Sequence, residues 1–348
     1  MKILVRGTNW VGDAVMTIPA LRELRRLFPD AAITLYTRGW AEGIFRDADF
    51  IDEILTFEKT KSKIKDALAQ AKELKPHGFD LAVLFPNSFE TALVAKLARI
   101  PRRFGYAKES RSFLLTDAVE MPAWKNERHE VFYYLNLVAE IEQAYFAGRT
   151  ISEIETPRVD LNVSEERRRA ARHFLAESGV DPAKKTVALG VGSTNSRAKR
   201  WPAASYARLS DLLQNELNAN VVLVGAKDEI GVSLEVLAKS GKKPIMLTGK
   251  TKLAEAVAVL SEIDLLVSND MGLAHVAPAV GTETLVIFGP TNEKTTQPVG
   301  SEIVRRDVEC APCMLRDCPI DHRCMTRISP AEVFERARNL LDAKPRRR

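Results

Sequence analysis

Two doubly wound α/β domains facing each other across a cleft are what this sequence predicts, and three observations carry the prediction. Short apolar strand signals alternate with amphipathic helical stretches along the chain. That alternation starts afresh after an unpatterned stretch, Ala147 to Leu161, which contains Pro157. In the second half, four successive strand signals run into polar or glycine-rich loops. Strands separated by helices build a parallel sheet covered on both faces, and such sheets bind ligands outside the carboxyl ends of their strands. With 348 residues the chain can form two such domains, each with its own core. The predicted division is 1–160, 161–330 and a helix with a basic tail over 331–348.

Apolar residues make up 45% of the chain and charged residues 28%, the balance of a soluble globular protein. No apolar run approaches the roughly 18 residues that span a bilayer, and the opening Met1-Lys-Ile-Leu-Val-Arg6 is too short for a signal peptide, so a cytoplasmic location is expected. Net charge is +5, from 51 Lys plus Arg against 46 Asp plus Glu, which is modest and predicts no nucleic-acid partner. The excess is concentrated at Arg99, Arg102, Arg103, Lys108 and Arg111 and in the tail Lys344 to Arg348. Such groups suit either an anionic substrate or an acidic membrane surface, or are simply solvated.

The first strand signal is Ile3 to Val5, left through the loop Arg6-Gly-Thr-Asn-Trp-Val-Gly-Asp13. Helical spacing of Val15, Ile18, Leu21, Leu24, Leu27 and Phe28 follows, with Arg22, Glu23, Arg25 and Arg26 on the other face. Gly7 and Gly12 do not make the G-x-G-x-x-G of a dinucleotide fold, which counts against a dehydrogenase. Asp13, at the start of the helix, fits an N-cap and a catalytic carboxylate equally well. Strand signals then fall at Ile33 to Tyr36, Ile54 to Phe57 and Leu81 to Phe85, and helical ones at Lys61 to Leu74, Glu90 to Ala98 and Glu130 to Glu142. Between the last two lies a basic, aromatic segment, Arg102 to Arg111, read as a loop facing the same crevice as Asp13 or as solvated surface.

A helix over Glu165 to Ser178 opens the second half. Strand Thr186 to Leu189 runs into Gly190-Val-Gly-Ser-Thr-Asn-Ser-Arg-Ala-Lys-Arg-Trp-Pro202, where small residues let the backbone approach phosphate and Lys199 supplies charge. Strand Val221 to Val224 ends in Gly225-Ala-Lys-Asp-Glu229, which puts carboxylates where a ribose diol could bond them. Strand Ile245 to Leu247 ends in Thr248-Gly-Lys250. Strand Leu265 to Val267 stops at Ser268-Asn-Asp-Met-Gly272, and an Ala-rich helix carrying His275 begins at once. A helix start offers unpaired N–H groups to an anion, so Asn269 to His275 is read as lining a nucleotide-diphosphate site rather than a corner that merely packs.

All four cysteines lie within fifteen residues, Cys310, Cys313, Cys318 and Cys324, spaced C-x2-C-x4-C-x5-C. In a reducing compartment disulfides are disfavoured, which leaves a structural zinc or iron-sulfur site, or reduced thiols in a compact loop.

Ordered blocks over nearly the whole chain resemble the ADP-heptose:lipopolysaccharide heptosyltransferases, glycosyltransferases of family 9 and of the GT-B fold. They are Gly12-Asp-Ala-Val-Met-Thr-Ile-Pro-Ala-Leu21, Lys199-Arg-Trp-Pro202, Ser268-Asn-Asp-Met-Gly-Leu-Ala-His275 and Phe288-Gly-Pro-Thr291. The second type of heptosyltransferase is the nearer match; the first type, a relative with another acceptor, and a non-catalytic nucleotide-sugar-binding protein are the alternatives. The resemblance implies inverting transfer of L-glycero-D-manno-heptose from ADP-heptose to the lipid A-linked inner core of lipopolysaccharide, at the cytoplasmic face of the membrane and with peripheral association. It assigns acceptor binding and the base to the first domain, and the nucleotide sugar to the second. Asp13 matches the general base, and an ordinary aspartate, with a pKa of about 4, is ionised at neutral pH. Lys199 matches the lysine that meets the diphosphate; Asp270, Gly272 and His275 match the motif near phosphates and donor sugar, with Ser193 and Thr194 beside them. Glu229 matches the ribose ligand, with Asp228 in competition. Arg102, Arg103, Lys108 and Arg111 would meet the acceptor's anionic groups. The resemblance implies no cofactor for catalysis. Met271 stands where relatives more often carry Ser or Thr. The GT-B fold would also let the C-terminal helix cross back to the first domain.

Overall fold

The computed structural model describes residues 1–60, 62–194 and 196–343. The basic tail Lys344 to Arg348 lies outside the described residues, as do Lys61, where a helix is predicted to begin, and Asn195 of the predicted phosphate loop. Two compact units divide the chain, Met1–Val159 and Asp160–Arg348, and the break falls inside the unpatterned stretch.

The first unit comprises β1 (Lys2–Arg6), α1 (Val11–Met16), α2 (Ile18–Leu27), β2 (Ala32–Arg38), α3 (Glu42–Phe45), β3 (Glu53–Phe57), α4 (Lys63–Leu74), β4 (Leu81–Leu84), α5 (Phe89–Leu97), β5 (Arg102–Tyr106), β6 (Asp117–Val119) and α6 (Glu130–Phe146). Its strands are all parallel, in the order β3-β2-β1-β4-β5-β6. The central strands β1 and β4 are covered on both faces, which is why they read as unbroken apolar runs.

Two sequence expectations change here. The predicted first helix is two helices, because Pro19 has no N–H to continue the ladder and Thr17 turns its hydroxyl back to the Ala14 carbonyl at 2.7 Å. The predicted basic loop is half strand: β5 carries Arg102 and Arg103 between β4 and β6. A strand rich in arginine survives because its guanidinium groups are hydrogen-bonded. Arg102 grips Asp117 of β6 through two bonds, at 2.9 and 2.7 Å, and Arg103 Nε donates to the Leu114 carbonyl at 2.7 Å.

The second unit comprises α7 (Glu165–Glu177), β7 (Thr186–Gly190), α8 (Ala203–Glu216), β8 (Asn220–Val224), α9 (Ile230–Lys239), β9 (Ile245–Met246), α10 (Leu253–Ser261), β10 (Leu265–Asn269), α11 (Gly272–Ala279), β11 (Glu283–Ile287), α12 (Glu293–Thr296), β12 (Glu302–Val304), α13 (Arg323–Thr326) and α14 (Pro330–Ala343). These strands too are parallel, in the order β12-β11-β10-β7-β8-β9. Counted from the first strand of each unit, both sheets read 3-2-1-4-5-6, the doubly wound order of a mononucleotide-binding fold. Strand order reverses between β1 and β4 in one unit and between β7 and β10 in the other. The crevice beyond those two strand ends is where such a sheet receives its ligand.

Helix α14, which the GT-B resemblance would let cross back to the first domain, is used inside the second unit. Val333, Phe334, Ala337 and Leu341 join the core built by Trp201, Tyr206, Leu209 and Leu213. Among the described residues no helix is long and apolar enough to cross a membrane.

Candidate functional site

In the second unit, the segments that leave β7 and β10 flank the reversal point; the first carries Ser193, Thr194 and Lys199, and the second carries Asp270 in a short turn and then Gly272 and His275 on α11. They are joined by side chains. Lys199 Nζ donates to Asp270 Oδ2 at 2.7 Å, and Thr291 Oγ1, from the loop after β11, donates to the same oxygen at 2.8 Å. Asp270 is buried and Lys199 only partly so. An ammonium has three donors, and this pair uses one. The remaining N–H bonds of Lys199 are what a diphosphate could take.

Asn269, the last residue of β10, fixes the two loops against each other. Its Oδ1 accepts from Trp201 N at 2.9 Å and Tyr206 OH at 3.0 Å, while Nδ2 donates to the Val191 and Gly192 carbonyls at 2.9 and 3.0 Å. Its side chain is wholly buried. Trp201, the aromatic of the Lys199-Arg-Trp-Pro202 block, is buried as well and donates Nε1 to the Ile328 carbonyl. That block is therefore two things at once, a charge for the crevice and an anchor in the core.

Helix α11 starts at Gly272 with Met271 as its N-cap, in extended backbone and with no side-chain cap. A Ser or Thr there would spend its oxygen on a first-turn amide; Met cannot. Ala274 N donates to the Met271 carbonyl at 3.0 Å, so Gly272 and Leu273 are the first-turn residues whose N–H groups can meet an anion, and the helix dipole adds to that attraction. His275 lies on the same helix and is buried. Ser193 is buried with its carbonyl accepting from Arg200 Nη2 at 3.0 Å, and Thr194 is exposed.

Glu229 sits after β8, buried against Gly192, where any Cβ would collide with its carboxylate. Its Oε2 accepts from Ala226 N at 2.9 Å. Burial raises its pKa above the usual carboxylate range, with the neighbouring Asp228 adding to the rise and the Ala226 amide and Arg200 opposing it. Asp228, the competing ribose ligand, is exposed. Close by, a pocket of about 100 Å³ is lined by Val224, Gly225, Leu247, Leu253, Leu260 and Leu273 among others. The lining is almost entirely apolar, as a flat nucleobase requires. Strand-end polarity points to the phosphate loops, but this slot is assembled from apolar residues of β8, α10, α11 and the loop after β9 and leaves no local signature.

In the first unit, Asp13 occupies the third position of α1 and is half-buried. The N-cap is Trp10, so the capping alternative for Asp13 does not hold. Its charge reaches Tyr134 of α6, whose phenol is held well above its ordinary pKa first by burial and then by Asp13. The basic residues divide. Arg111 is not at the surface: its side chain is fully buried, donating to the Tyr106 and Pro86 carbonyls and to Thr91 Oγ1, and burial lowers its pKa to about 10. Arg102 and Arg103 are partly exposed and bonded as described above, whereas Lys108 is exposed.

The four cysteines fall in one segment of the second unit, close enough for the other three to act on Cys324. Cys310 and Cys313 are exposed, Cys318 is half-buried and Cys324 is buried in α13; all four are free thiols. Among the described residues no three or more His, Cys, Asp or Glu side chains are grouped to hold a metal ion. Burial, reinforced by the other three cysteines, raises the Cys324 thiol pKa.

The sequence profile of glycosyltransferase family 9 (heptosyltransferase) matches residues 67–323. Lipooligosaccharide heptosyltransferase 2 of Campylobacter jejuni is 27% identical, over 98% of this chain and 98% of its own length. Lipopolysaccharide heptosyltransferase 2 of Escherichia coli is 29% identical, over 98% of this chain and 99% of its own. The solved structure of the E. coli ADP-heptose lipopolysaccharide heptosyltransferase II superposes with a TM-score of 0.84 at 27% identity, covering 99% of each chain.

Proposed function

Because the chain belongs to glycosyltransferase family 9, we propose that it is the inverting enzyme that moves L-glycero-D-manno-heptose from ADP-heptose to the heptosyl-Kdo2-lipid A inner core of lipopolysaccharide. The observation that carries this reading is the joined set Lys199, Asp270 and Thr291 beside the uncapped start of α11, at the reversal point of a mononucleotide-binding sheet. The diphosphate lies against Lys199 and the first-turn N–H groups, the ribose against Glu229, and the base enters the apolar slot of Val224, Leu247 and Leu273.

In the transfer, an acceptor hydroxyl attacks the anomeric carbon from the face opposite ADP. The carbon–oxygen bond to the diphosphate breaks and the acceptor proton passes to Asp13. Negative charge gathers on the departing ADP, so Lys199 and the α11 amides stabilise the transition state more than the bound donor. Lys108, with the exposed edges of Arg102 and Arg103, meets the acceptor's phosphates and carboxylates. The acceptor is lipid-linked, so the enzyme works as a peripheral protein at the cytoplasmic membrane face. Incubating the purified protein with ADP-heptose and heptosyl-Kdo2-lipid A should add one heptose, read by mass spectrometry. Transfer only to Kdo2-lipid A lacking heptose would overturn the assignment of acceptor.

Glu229 gives the reading a pH signature. Its raised pKa means that it takes up a proton at a higher pH than an ordinary carboxylate. Above that point it is ionised and accepts the ribose hydroxyls; below it, one acceptor site becomes a donor. The KM for ADP-heptose should therefore rise on mild acidification in the wild type and stay flatter in Glu229→Gln. Superimposable acid limbs for the two proteins would remove Glu229 from the donor site.

A further inference from the structure

The cysteine-rich segment has no part in the chemistry above, yet it grips the turn that carries Lys199. Ser196 Oγ shares its one O–H between the Leu315 and Arg316 carbonyls, at 3.3 and 3.2 Å, and Ala198 N donates to the Arg316 carbonyl at 2.9 Å. Arg197 Nε donates to Asp317 Oδ1 at 2.7 Å. The shortest tie comes from a side chain: His322 Nε2 lies 2.6 Å from the Ala198 carbonyl. A carbonyl only accepts, so Nε2 carries the proton and donates. His322 does this from left-handed backbone, at a φ of 57°, a conformation that few residues other than glycine adopt.

Four ties converge on Ser196 to Ala198, immediately before Lys199, while Trp201 N bonds Asn269 immediately after it. The lysine is thus clamped at both ends. One clamp is part of the sheet core and the other is this segment, whose own base on the second unit includes the bonds from Cys313 N and Met314 N to the Pro290 carbonyl at 3.0 and 2.8 Å. Pro290 is the neighbour of Thr291, which bonds Asp270. The segment therefore bonds the chain next to both outer members of the Lys199–Asp270–Thr291 set, at Ala198 and at Pro290.

We propose that His322 is a positioning residue for the transfer, holding the Ala198 carbonyl so that the Lys199 ammonium meets the diphosphate in register. This rests on the reading of Lys199 as the diphosphate ligand. A shift of about 1 Å in a charged group near the reacting atoms can cost on the order of 10²-fold in rate.

The test is a double-mutant cycle on the full-length protein, with ADP affinity by calorimetry and kcat/KM for ADP-heptose as readouts. His322→Ala in the wild-type background should weaken ADP binding about tenfold and lower kcat/KM by roughly 10- to 100-fold. In a Lys199→Ala background the same change should have almost no further effect, since it acts through the lysine. His322→Gln, whose amide can still donate, should recover most of the loss. Ser196→Ala cuts the same clamp from the other side and should show the same dependence on Lys199, so the outcome does not hang on one variant folding. Equal losses in both backgrounds, or unchanged kinetics in both His322→Ala and Ser196→Ala beside an impaired Lys199→Ala, would overturn the positioning role. Full ADP affinity and activity in Lys199→Ala would overturn the parent reading, and this one with it.

Discussion

Asp13→Asn loses heptose transfer by roughly 10²- to 10⁴-fold, the range spanned by removal of a positioned general base, while ADP affinity stays within about twofold of wild type. The separation follows from the fold. Asp13 belongs to the first unit, on the first turn of α1, and the groups proposed to bind the nucleotide belong to the second. Asparagine keeps the shape and a hydrogen-bonding oxygen but cannot hold the acceptor's proton at neutral pH. Turnover measured under donor saturation, beside calorimetry with ADP, reads the two effects independently. Equal turnover in both proteins would take Asp13 out of the mechanism; a matching loss of ADP binding would show that the substitution had disturbed more than the base.

Lys199→Ala should have the second large effect, and of a different kind. Its ammonium is bonded to Asp270, which lies two residues before α11 begins at Gly272. Deleting it removes a contact to the diphosphate in the ground state and a stronger one as the leaving charge develops. Loss of one such electrostatic donor costs about 10²- to 10³-fold in kcat, and the KM for ADP-heptose should rise as well. The variant also leaves the buried Asp270 carboxylate with Thr291 as its remaining hydrogen-bond donor from this set, so Lys199→Ala combined with Asp270→Asn should recover part of the ADP affinity. Steady-state kinetics on both variants decides this, and undiminished kcat in Lys199→Ala would refute the proposed role.

Much of this is legible in the chain. Strand ends are marked where an apolar run meets glycine and polar residues, which is why residue order alone places the loops with Asp13, Lys199 and Asp270. Asp13 stays ambiguous at that level because a carboxylate in a first helical turn looks like a cap until the N-cap itself is known to be Trp10. What escapes are residues whose role is made by partners distant in sequence. Arg102 and Arg103 read as loop charges until Asp117 pairs the first and the Leu114 carbonyl accepts from the second within a sheet. Arg111 reads as surface because nothing local announces the carbonyls that bury it. Asn269 reads as a polar strand end, although its amide bonds four groups at once. The cysteine spacing fits a metal, and nothing in it says that α13 carries Cys324 into the core while Cys310 and Cys313 stay at the surface.

The repeated strand order has a consequence for how such an enzyme changes over time. Each unit owns a full hydrophobic interior and its own reversal of winding. A substitution that reshapes the landing place for one sugar therefore leaves the opposite half's interior and nucleotide contacts intact. On the proposed division of labour, preference for the receiving glycolipid is free to drift quickly while the handling of ADP stays put.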